Sequence, residues 1–265
     1  GTVRIKVRSK STAGGRGLGA SRMDVVIRPM TGTDFDWAAE LMARRRAVYE
    51  RYAPVFWRPA EGIAELHAGF IRYQAEQPGG VALRTDRGFV LATAGPGRHD
   101  VDDFAVDADD AWESDGRALL EGLPEPRAVR VVTARRDEPK RRMLDALSLV
   151  PTARWWVKEL HPSAPAEAAP GEVDLGGVRA VLMAAPPVYD PGGPVCMLGD
   201  VSPAAAIDAA DRARDLGAVL AIVTRDRSPE PAPADEPQLH AAGFDNVSEF
   251  FEGRLPNGTW FPAPG

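Results

Sequence analysis

The chain has 265 residues, of which 44% are hydrophobic and 26% charged, as expected of a globular protein with a sizeable core. Its single cysteine, Cys196, excludes a disulfide framework within the chain and disfavours a cysteine-based zinc site, so we interpret it as a core thiol. The net charge of −6 argues against a general nucleic-acid binder, and no apolar run could span a bilayer, so we expect a cytoplasmic protein without membrane partners.

The first 22 residues differ from the rest, because they carry basic residues and no acidic ones. Two interpretations stay open. The segment is either a basic arm for nucleic acid or an acidic partner, or an extension upstream of a natural start at Met23. Within it, Thr2–Arg8 alternates apolar and basic residues, a pattern that predicts an edge strand.

Two helices follow a predicted first strand at Val25–Arg28. The first begins near Asp34 and ends near Tyr52, and its Arg44, Arg45 and Arg46 are interpreted as a solvated face. The second spans about Pro59–Gln77, with proline in its first turn. Its apolar residues are predicted to form a buried stripe, namely Ile63, Leu66, Phe70 and Tyr73.

The linker Ala53–Arg58 between these helices places two aromatic residues beside an arginine, and either lines a pocket or forms an apolar plug. A hairpin is predicted next, at Val81–Thr85 and Gly88–Ala94, and then a buried strand at Val101–Val106 that leads into an acidic loop. Beyond the loop, a strand, a helix and another strand are predicted at Ala128–Thr133, Glu138–Leu149 and Arg154–Leu160. Trp112 in the acidic loop either plugs a cleft or stacks on a ligand base.

A segment rich in proline, alanine and glutamate, residues 161–177, predicts a linker. Beyond it, strands and helices are predicted at Val178–Ala184, Val195–Gly199, Pro203–Gly217, Ala218–Thr224, Gln238–Ala242 and Val247–Leu255. The two parts echo each other, since Ala128–Arg135 resembles Ala218–Arg225, and Trp155-Trp156 stands at the offset of Phe250-Phe251. These matches predict a duplicated unit whose second copy lacks the two helices.

The order of elements resembles the GNAT superfamily of N-acetyltransferases. The residues that carry the resemblance are Ile27-Arg28-Pro29, Val101–Val106, Gly116–Leu120, Leu147–Thr152 and Ala241–Phe244. It implies an α/β (α+β) fold made of two GNAT-like mixed-sheet units in tandem, at residues 23–160 and, in truncated form, 178–265.

The resemblance also implies a cofactor, because proteins of that family hold acetyl-coenzyme A between their fourth and fifth strands. The matching backbone and turn positions are Phe104, Ala105, Val106, Glu113, Gly116, Arg117 and Ala118. The implied function is an acyl-coenzyme A-dependent N-acetyltransferase acting on a small-molecule or peptide amine. Acidic residues near the cleft favour a cationic acceptor.

Candidate catalytic residues are few. The family's usual base is a carboxylate on the central strands, for which Asp102 and Asp103 are candidates, and strand alternation lets at most one face the cleft. The family's tyrosine acid is replaced by Leu144 in one copy and Leu239 in the other, beside which His240 could act. The competing hypothesis is a non-catalytic binding module that has lost its cofactor loop and acid.

Two further sets of residues allow alternatives. Tyrosines on the two helices either shape the acceptor site or belong to the core, namely Tyr49, Tyr52 and Tyr73. The acidic cluster around the loop is a solvated rim rather than a cation site, because no EF-hand pattern accompanies it. It comprises Asp100, Asp102, Asp103, Asp107, Asp109 and Asp110, and we predict no metal.

Overall fold

A computed structural model describes residues 3–7, 23–163, 169–226, 236–256 and 261–262. These residues form one mixed sheet of 13 strands with six α-helices packed on its two faces. The predicted α/β fold of two mixed-sheet units in tandem is confirmed by this arrangement. Most of the basic arm and the proline-rich segment at 227–235 lie outside the described residues.

The elements follow the chain in the predicted order. The strands are β1 (Val3–Val7), β2 (Met23–Pro29), β3 (Val81–Arg84), β4 (Gly88–Gly95), β5 (Arg98–Val106), β6 (Ala128–Ala134), β7 (Val150–Glu159), β8 (Gly171–Asp174), β9 (Arg179–Met183), β10 (Val195–Gly199), β11 (Leu220–Asp226), β12 (Asp245–Arg254) and β13 (Phe261–Pro262). The helices are α1 (Asp34–Glu50), α2 (Ile63–Glu76), α3 (Asp115–Glu121), α4 (Glu138–Ala146), α5 (Pro203–Asp215) and α6 (Glu236–Ala241). A 3-10 turn, Asp109–Trp112, precedes α3.

The two units share their sheet by exchanging their last strands. The order at the centre is β6-β12-β7-β11, so β12 of the second unit lies between two strands of the first. In turn, β7 of the first unit pairs antiparallel with β11 of the second. Near one end of the sheet, β1 pairs antiparallel with β2, which confirms the strand predicted from the alternating pattern. Its predicted edge position is wrong, because β13 pairs with the other side of β1.

The parallel strands β5 and β6 separate part of the way along. They pair only from His99 to Val101 on β5 and from Val129 to Val131 on β6. Beyond those residues the two strands are paired with other neighbours and leave a gap between them. Counted from β2, where the first GNAT-like unit begins, β5 and β6 are the fourth and fifth strands. The gap between them is therefore where the sequence resemblance would place a cofactor.

Two predictions about side chains on α1 and α2 are wrong. Leu66, Phe70 and Tyr73 were expected to be buried, but they are 48%, 42% and 61% exposed, because α2 packs through His67, Ala68 and Ile71 instead. This leaves an apolar strip of α2 facing a cavity rather than the core.

The expected solvated face of α1 is also only partly solvated. Arg44 is exposed, whereas Arg46 is buried and the side chain of Arg45 is 12% exposed. Both form ion pairs with carboxylates on the sheet and on α4, contacts that the helix sequence alone cannot show. A further difference is β8, which lies within the stretch predicted as a linker.

Candidate functional site

A cavity of about 730 Å³ lies on the face of the sheet that carries α1 and α2. Its walls come from α2, the linker between α1 and α2, the central strands and the loop at residues 184–191. The cavity therefore lies where the two units meet. Its lining is dominated by apolar and aromatic side chains with a few polar groups, the usual composition of a small-molecule site.

Aromatic rings form a continuous wall of this cavity. The Trp57 ring lies 5.3 Å from Tyr49, 4.8 Å from Phe56 and 5.7 Å from Tyr189 between centroids. Another ring pair on the sheet, Trp155 and Phe250, adds to the floor. The linker Ala53–Arg58 thus lines a pocket, and of its two open interpretations the structure supports this one. Tyr49 and Tyr73 also face the cavity.

A β-bulge places both predicted carboxylates at the cavity. Val90 pairs with Phe104 and Ala92 pairs with Val101, so β5 has one extra residue between these two pairs. Asp102 and Asp103 lie in that bulge, and both line the cavity. The expectation that only one could face it was wrong, because the bulge interrupts the alternation of side chains on which that expectation relied.

Asp102 is the unengaged carboxylate of the pair. Within the described part of the chain it has no hydrogen bond or ion pair, although it is solvent-accessible at the cavity wall. Surrounding protein raises the pKa of its carboxyl group by desolvation, and the nearby Asp103 and Asp100 add to the rise. A carboxyl group with a raised pKa at a cavity can accept or donate a proton.

Asp103 is engaged in a buried triad with Arg46 and His67. Arg46 Nη2 donates to Asp103 Oδ1 at 3.1 Å, and His67 Nε2 lies 2.8 Å from Asp103 Oδ2. The Arg46 guanidinium also approaches both ring nitrogens of His67, with Nη1 3.2 Å from Nδ1 and Nη2 3.3 Å from Nε2. Both ring nitrogens are therefore occupied, and His67 serves to hold α2 and β5 together.

The triad predicts a pH-dependent stability. Burial opposes the charged Asp103, but His67 and Arg46 outweigh it and hold the pKa of its carboxyl below the ordinary value. We expect Asp103→Asn to lower the free energy of unfolding by about 2 kcal/mol near neutral pH. The Asp103 carboxyl has a lower pKa in the folded protein than in the unfolded chain, so its charge stabilises the fold above about pH 4. This stabilisation is lost as the pH falls through the pKa of the folded protein.

The difference between the wild type and Asp103→Asn should therefore shrink below about pH 4, as urea unfolding followed by circular dichroism across pH would show. Asp86→Asn, at an exposed turn, is the control and should leave the unfolding free energy nearly unchanged at every pH. A difference independent of pH would contradict a charged Asp103 in the triad.

Lys140 fills the gap between β5 and β6. It rises from α4 on the opposite face of the sheet, and its Nζ donates to Val132 O at 2.9 Å and Phe104 O at 3.3 Å. Its side chain is buried, yet it lines the cavity. Desolvation lowers the pKa of the Lys140 ammonium to about 8, although neighbouring carboxylates oppose the shift.

The predicted cofactor residues lie next to this gap. Phe104, Ala105 and Val106 are buried in β5, while Gly116 and Ala118 are buried in the first turns of α3. Glu113 is exposed, and Arg117 pairs with Glu121 at 3.0 Å. The predicted cofactor residues thus lie close together on the sheet face that carries α3 and α4. Asp102 and Asp103 lie at the same gap but face the cavity on the opposite side of the sheet.

Trp112 covers the turn that would receive a pyrophosphate. Its side chain is fully buried, and its ring lies edge-on to Phe104 with centroids 4.9 Å apart. A Cβ atom built on Gly116 would come within 2.7 Å of Trp112 Cε3, so the glycine accommodates the indole ring. Of the two interpretations of Trp112, the structure supports the plug.

An ion-pair network closes the same cleft from outside. Arg45 on α1 pairs with Asp109 on the 3-10 turn at 2.7 Å and also with Asp137 at the start of α4. The Tyr49 hydroxyl donates to Asp137 as well. With Lys140 in the gap and Trp112 on the turn, the residues of the first unit do not fit coenzyme A in the arrangement described.

The corresponding turn of the second unit is closed too. Strands β10 and β11 stay paired through Gly199, without the wide gap of the first unit. Arg225 Nη1 donates to Asp200 Oδ1 and to Val201 O, both at 2.8 Å, and Ser202 Oγ accepts from Ala205 N. Side chains of the chain itself therefore occupy Val201 O and Ala205 N of this turn.

His240 lies away from the cavity. It is exposed on α6, and its Nδ1 is 3.6 Å from Asp245 Oδ1. Leu144 and Leu239, which stand where the family's acid is expected, are both fully buried. The acidic rim is partly paired with arginines, since Arg87 contacts Asp107 and Asp110. Among the described residues, no group of His, Cys, Asp and Glu could hold a metal ion.

Sequence reasoning missed Arg46, His67 and Lys140. The first two were hidden because both lie on helices, where their partners on β5 are distant in sequence. Lys140 offered a signal, since it stands four residues before Leu144 and therefore on the same helix face as the position expected to hold an acid.

No family model and no curated protein matches this chain. Among solved structures, it is similar to a GCN5-related N-acetyltransferase from Sphaerobacter thermophilus, with 12% identity, a TM-score of 0.44, and 88% of this chain and 96% of that chain covered. It is also similar to a tandem GNAT protein from the clavulanic acid biosynthesis pathway, with 11% identity, a TM-score of 0.44 and coverage of 87% and 98%. Similarity at this level does not assign a function to the chain.

Proposed function

We propose that this chain is a small-molecule-binding protein on a duplicated GNAT-like fold, and that its ligand occupies the aromatic cavity without coenzyme A. One observation carries the proposal. The cleft between β5 and β6 is filled by Lys140 and covered by Trp112, while a cavity of about 730 Å³ remains on the other face. A cavity of this size and lining suits an aromatic or alkyl molecule with one polar group.

A second candidate is an acyl-coenzyme A-dependent N-acetyltransferase, and the position of Asp102 favours it. This carboxyl group, with a raised pKa, stands where β5 and β6 part and could accept a proton from an amine in the cavity. The aromatic walls would favour a cationic small-molecule or peptide amine as the acceptor. This function requires Trp112 and Lys140 to move, so that the cleft could admit the cofactor.

The location of the chain is part of the proposal. Among the described residues, no helix has the length and apolar character needed to cross a membrane. We propose a cytoplasmic protein, a view supported by its single, unpaired cysteine, because disulfides are rare in cytosolic proteins.

Filling the cavity distinguishes ligand binding there from binding elsewhere. Gly69 on α2 lines the cavity, and a Cβ at this position meets nothing within 4 Å, so Gly69→Trp should fold and occupy the space. We expect the neutral fluorescent probe N-phenyl-1-naphthylamine to bind the wild type and to lose about tenfold or more in affinity in Gly69→Trp. Ala64→Trp, also exposed on α2 but outside the cavity, is the matched control.

Calorimetric titration with acetyl-coenzyme A then separates the two candidates. The closed cleft predicts no heat at millimolar ligand with the wild-type protein. Measurable binding of acetyl-coenzyme A would overturn the first candidate in favour of the transferase. Probe binding that Gly69→Trp leaves unchanged would contradict the cavity as the ligand site.

A further inference from the structure

We propose that Lys140 is a reacting amine, and that the cavity takes aldehydes or ketones, which form an imine with its Nζ. The inference rests on the proposed function, because it names the ligand class of the same cavity.

The position of the amine is set by the gap between two strands. The stem of Lys140 lies among core side chains on the α4 face, and its Nζ is 5.0 Å from the Phe104 ring centroid and 5.4 Å from that of Trp112. The two strand carbonyls, Phe104 O and Val132 O, then hold the Nζ at the cavity wall. The lysine therefore presents its amine to the cavity from behind the sheet.

Charged groups face this amine from each packed element. Asp137 precedes it on its own helix, Arg45 approaches from α1, and Asp102 and Asp103 lie on β5. Burial and Arg45 disfavour the ammonium form, the three carboxylates favour it, and the balance gives a pKa near 8. A substantial neutral fraction, which nucleophilic attack requires, is then present at mildly alkaline pH.

The surroundings favour a neutral electrophile over an anion. Asp102 is unengaged and lies on the same strand bulge as Asp103, so a carboxylate or phosphate near Lys140 would be repelled by ionised Asp102, whereas a neutral carbonyl compound would not. The aromatic walls favour an apolar body. An aromatic or alkyl aldehyde or ketone meets both conditions.

The reaction balances without a co-reactant. The lone pair of neutral Nζ attacks the carbonyl carbon, and one of the two Nζ protons passes to the carbonyl oxygen to give a carbinolamine. The hydroxyl group then leaves as water with a proton from Asp102, while the C=N bond forms and Nζ loses its remaining proton to the Asp102 carboxylate. One carbonyl compound and one amine thus become one imine and one water, with Asp102 restored.

Reductive trapping on the full chain tests the proposal. We would incubate the protein with cinnamaldehyde and sodium cyanoborohydride and locate the secondary amine by intact mass and peptide mapping. The expected result is labelling of Lys140 at least about tenfold faster than of Lys158, with a rate that rises between about pH 6 and pH 9 around the lowered pKa. Lys140→Arg keeps the charge and should give no adduct at this position.

Gly69→Trp supplies a second arm, because it leaves Lys140 in place and fills the cavity. Its labelling at Lys140 should fall to the rate seen at Lys158. Equal labelling of Lys140 and Lys158, or labelling that Gly69→Trp does not slow, would overturn the inference. If N-phenyl-1-naphthylamine binds the wild type and Lys140 stays unlabelled, the inference fails while the proposed function stands. If the probe does not bind either, the proposed function fails with it.

Discussion

Replacing Trp112 by alanine is expected to lower the free energy of unfolding by about 3–5 kcal/mol, the usual cost of truncating a large buried aromatic side chain. The indole ring is fully buried among residues of β5, α3 and α4. It packs on Gly116, where no side chain could replace the lost contacts, so the space would stay largely unfilled. Urea unfolding followed by circular dichroism measures the change.

Trp37→Ala is the matched control for this variant. Trp37 lies on α1, is only half-buried, and contacts Phe89 and Arg84 at the edge of the core. Its loss should cost clearly less, about 1–2 kcal/mol. A similar cost for both variants, or a cost below about 1 kcal/mol for Trp112→Ala, would show that the indole ring does not fill the cleft as described.

Glu249→Ala is the second variant with a large expected effect. Glu249 on β12 is completely buried, and three arginines converge on it from β7, α4 and the end of β6. Arg141 Nε lies 2.7 Å from its Oε2, and Arg154 Nε lies 3.0 Å from its Oε1. Removing the carboxylate leaves the buried Arg154 with Glu236 alone and Arg141 with the exposed Glu138 alone, so we expect a loss of about 3–5 kcal/mol.

The position of Glu249 makes this variant a test of the strand exchange. Its strand, β12, belongs to the second unit, whereas Arg141 and Arg154 belong to the first. Glu252→Ala, three residues along the same strand, is the control, because its ion pairs with Arg98 and Arg130 are about one-third exposed and should contribute about 0–1 kcal/mol. Equal losses in thermal or urea unfolding for the two variants would contradict the buried cluster.

Much of the fold could be predicted because it depends on local patterns. The alternation in Thr2–Arg8 indicated β1, and the buried strands at Ala128–Thr133 and Ala218–Thr224 were found within a residue or two. The order of elements also carried the resemblance to a known fold. The prediction that the apolar stripe of α2 is buried was wrong, because the same sequence pattern arises whether a stripe packs on a core or lines a cavity.

The candidate site could be predicted only in part. Asp102 and Asp103 were singled out because the resembled family uses a carboxylate on its central strands as the base. That both face the cavity depends on a bulge, which no local sequence pattern predicts. Arg46 and His67 reach Asp103 across 57 and 36 residues of sequence, and such contacts exist only once the helices are packed.

By itself, the sequence determined the mixed α/β class, the duplicated order of elements and the acidic loop, because hydrophobic periodicity and turn residues act over a few neighbours. Only the tertiary structure decided that the cleft is closed and the cavity open. The cleft is closed because Trp112, Lys140 and Arg45 contact residues of other elements. The cavity forms where the two units share one sheet through the exchange of β7 and β12. Long-range packing and desolvation set these contacts, and neither is written in any single stretch of the chain.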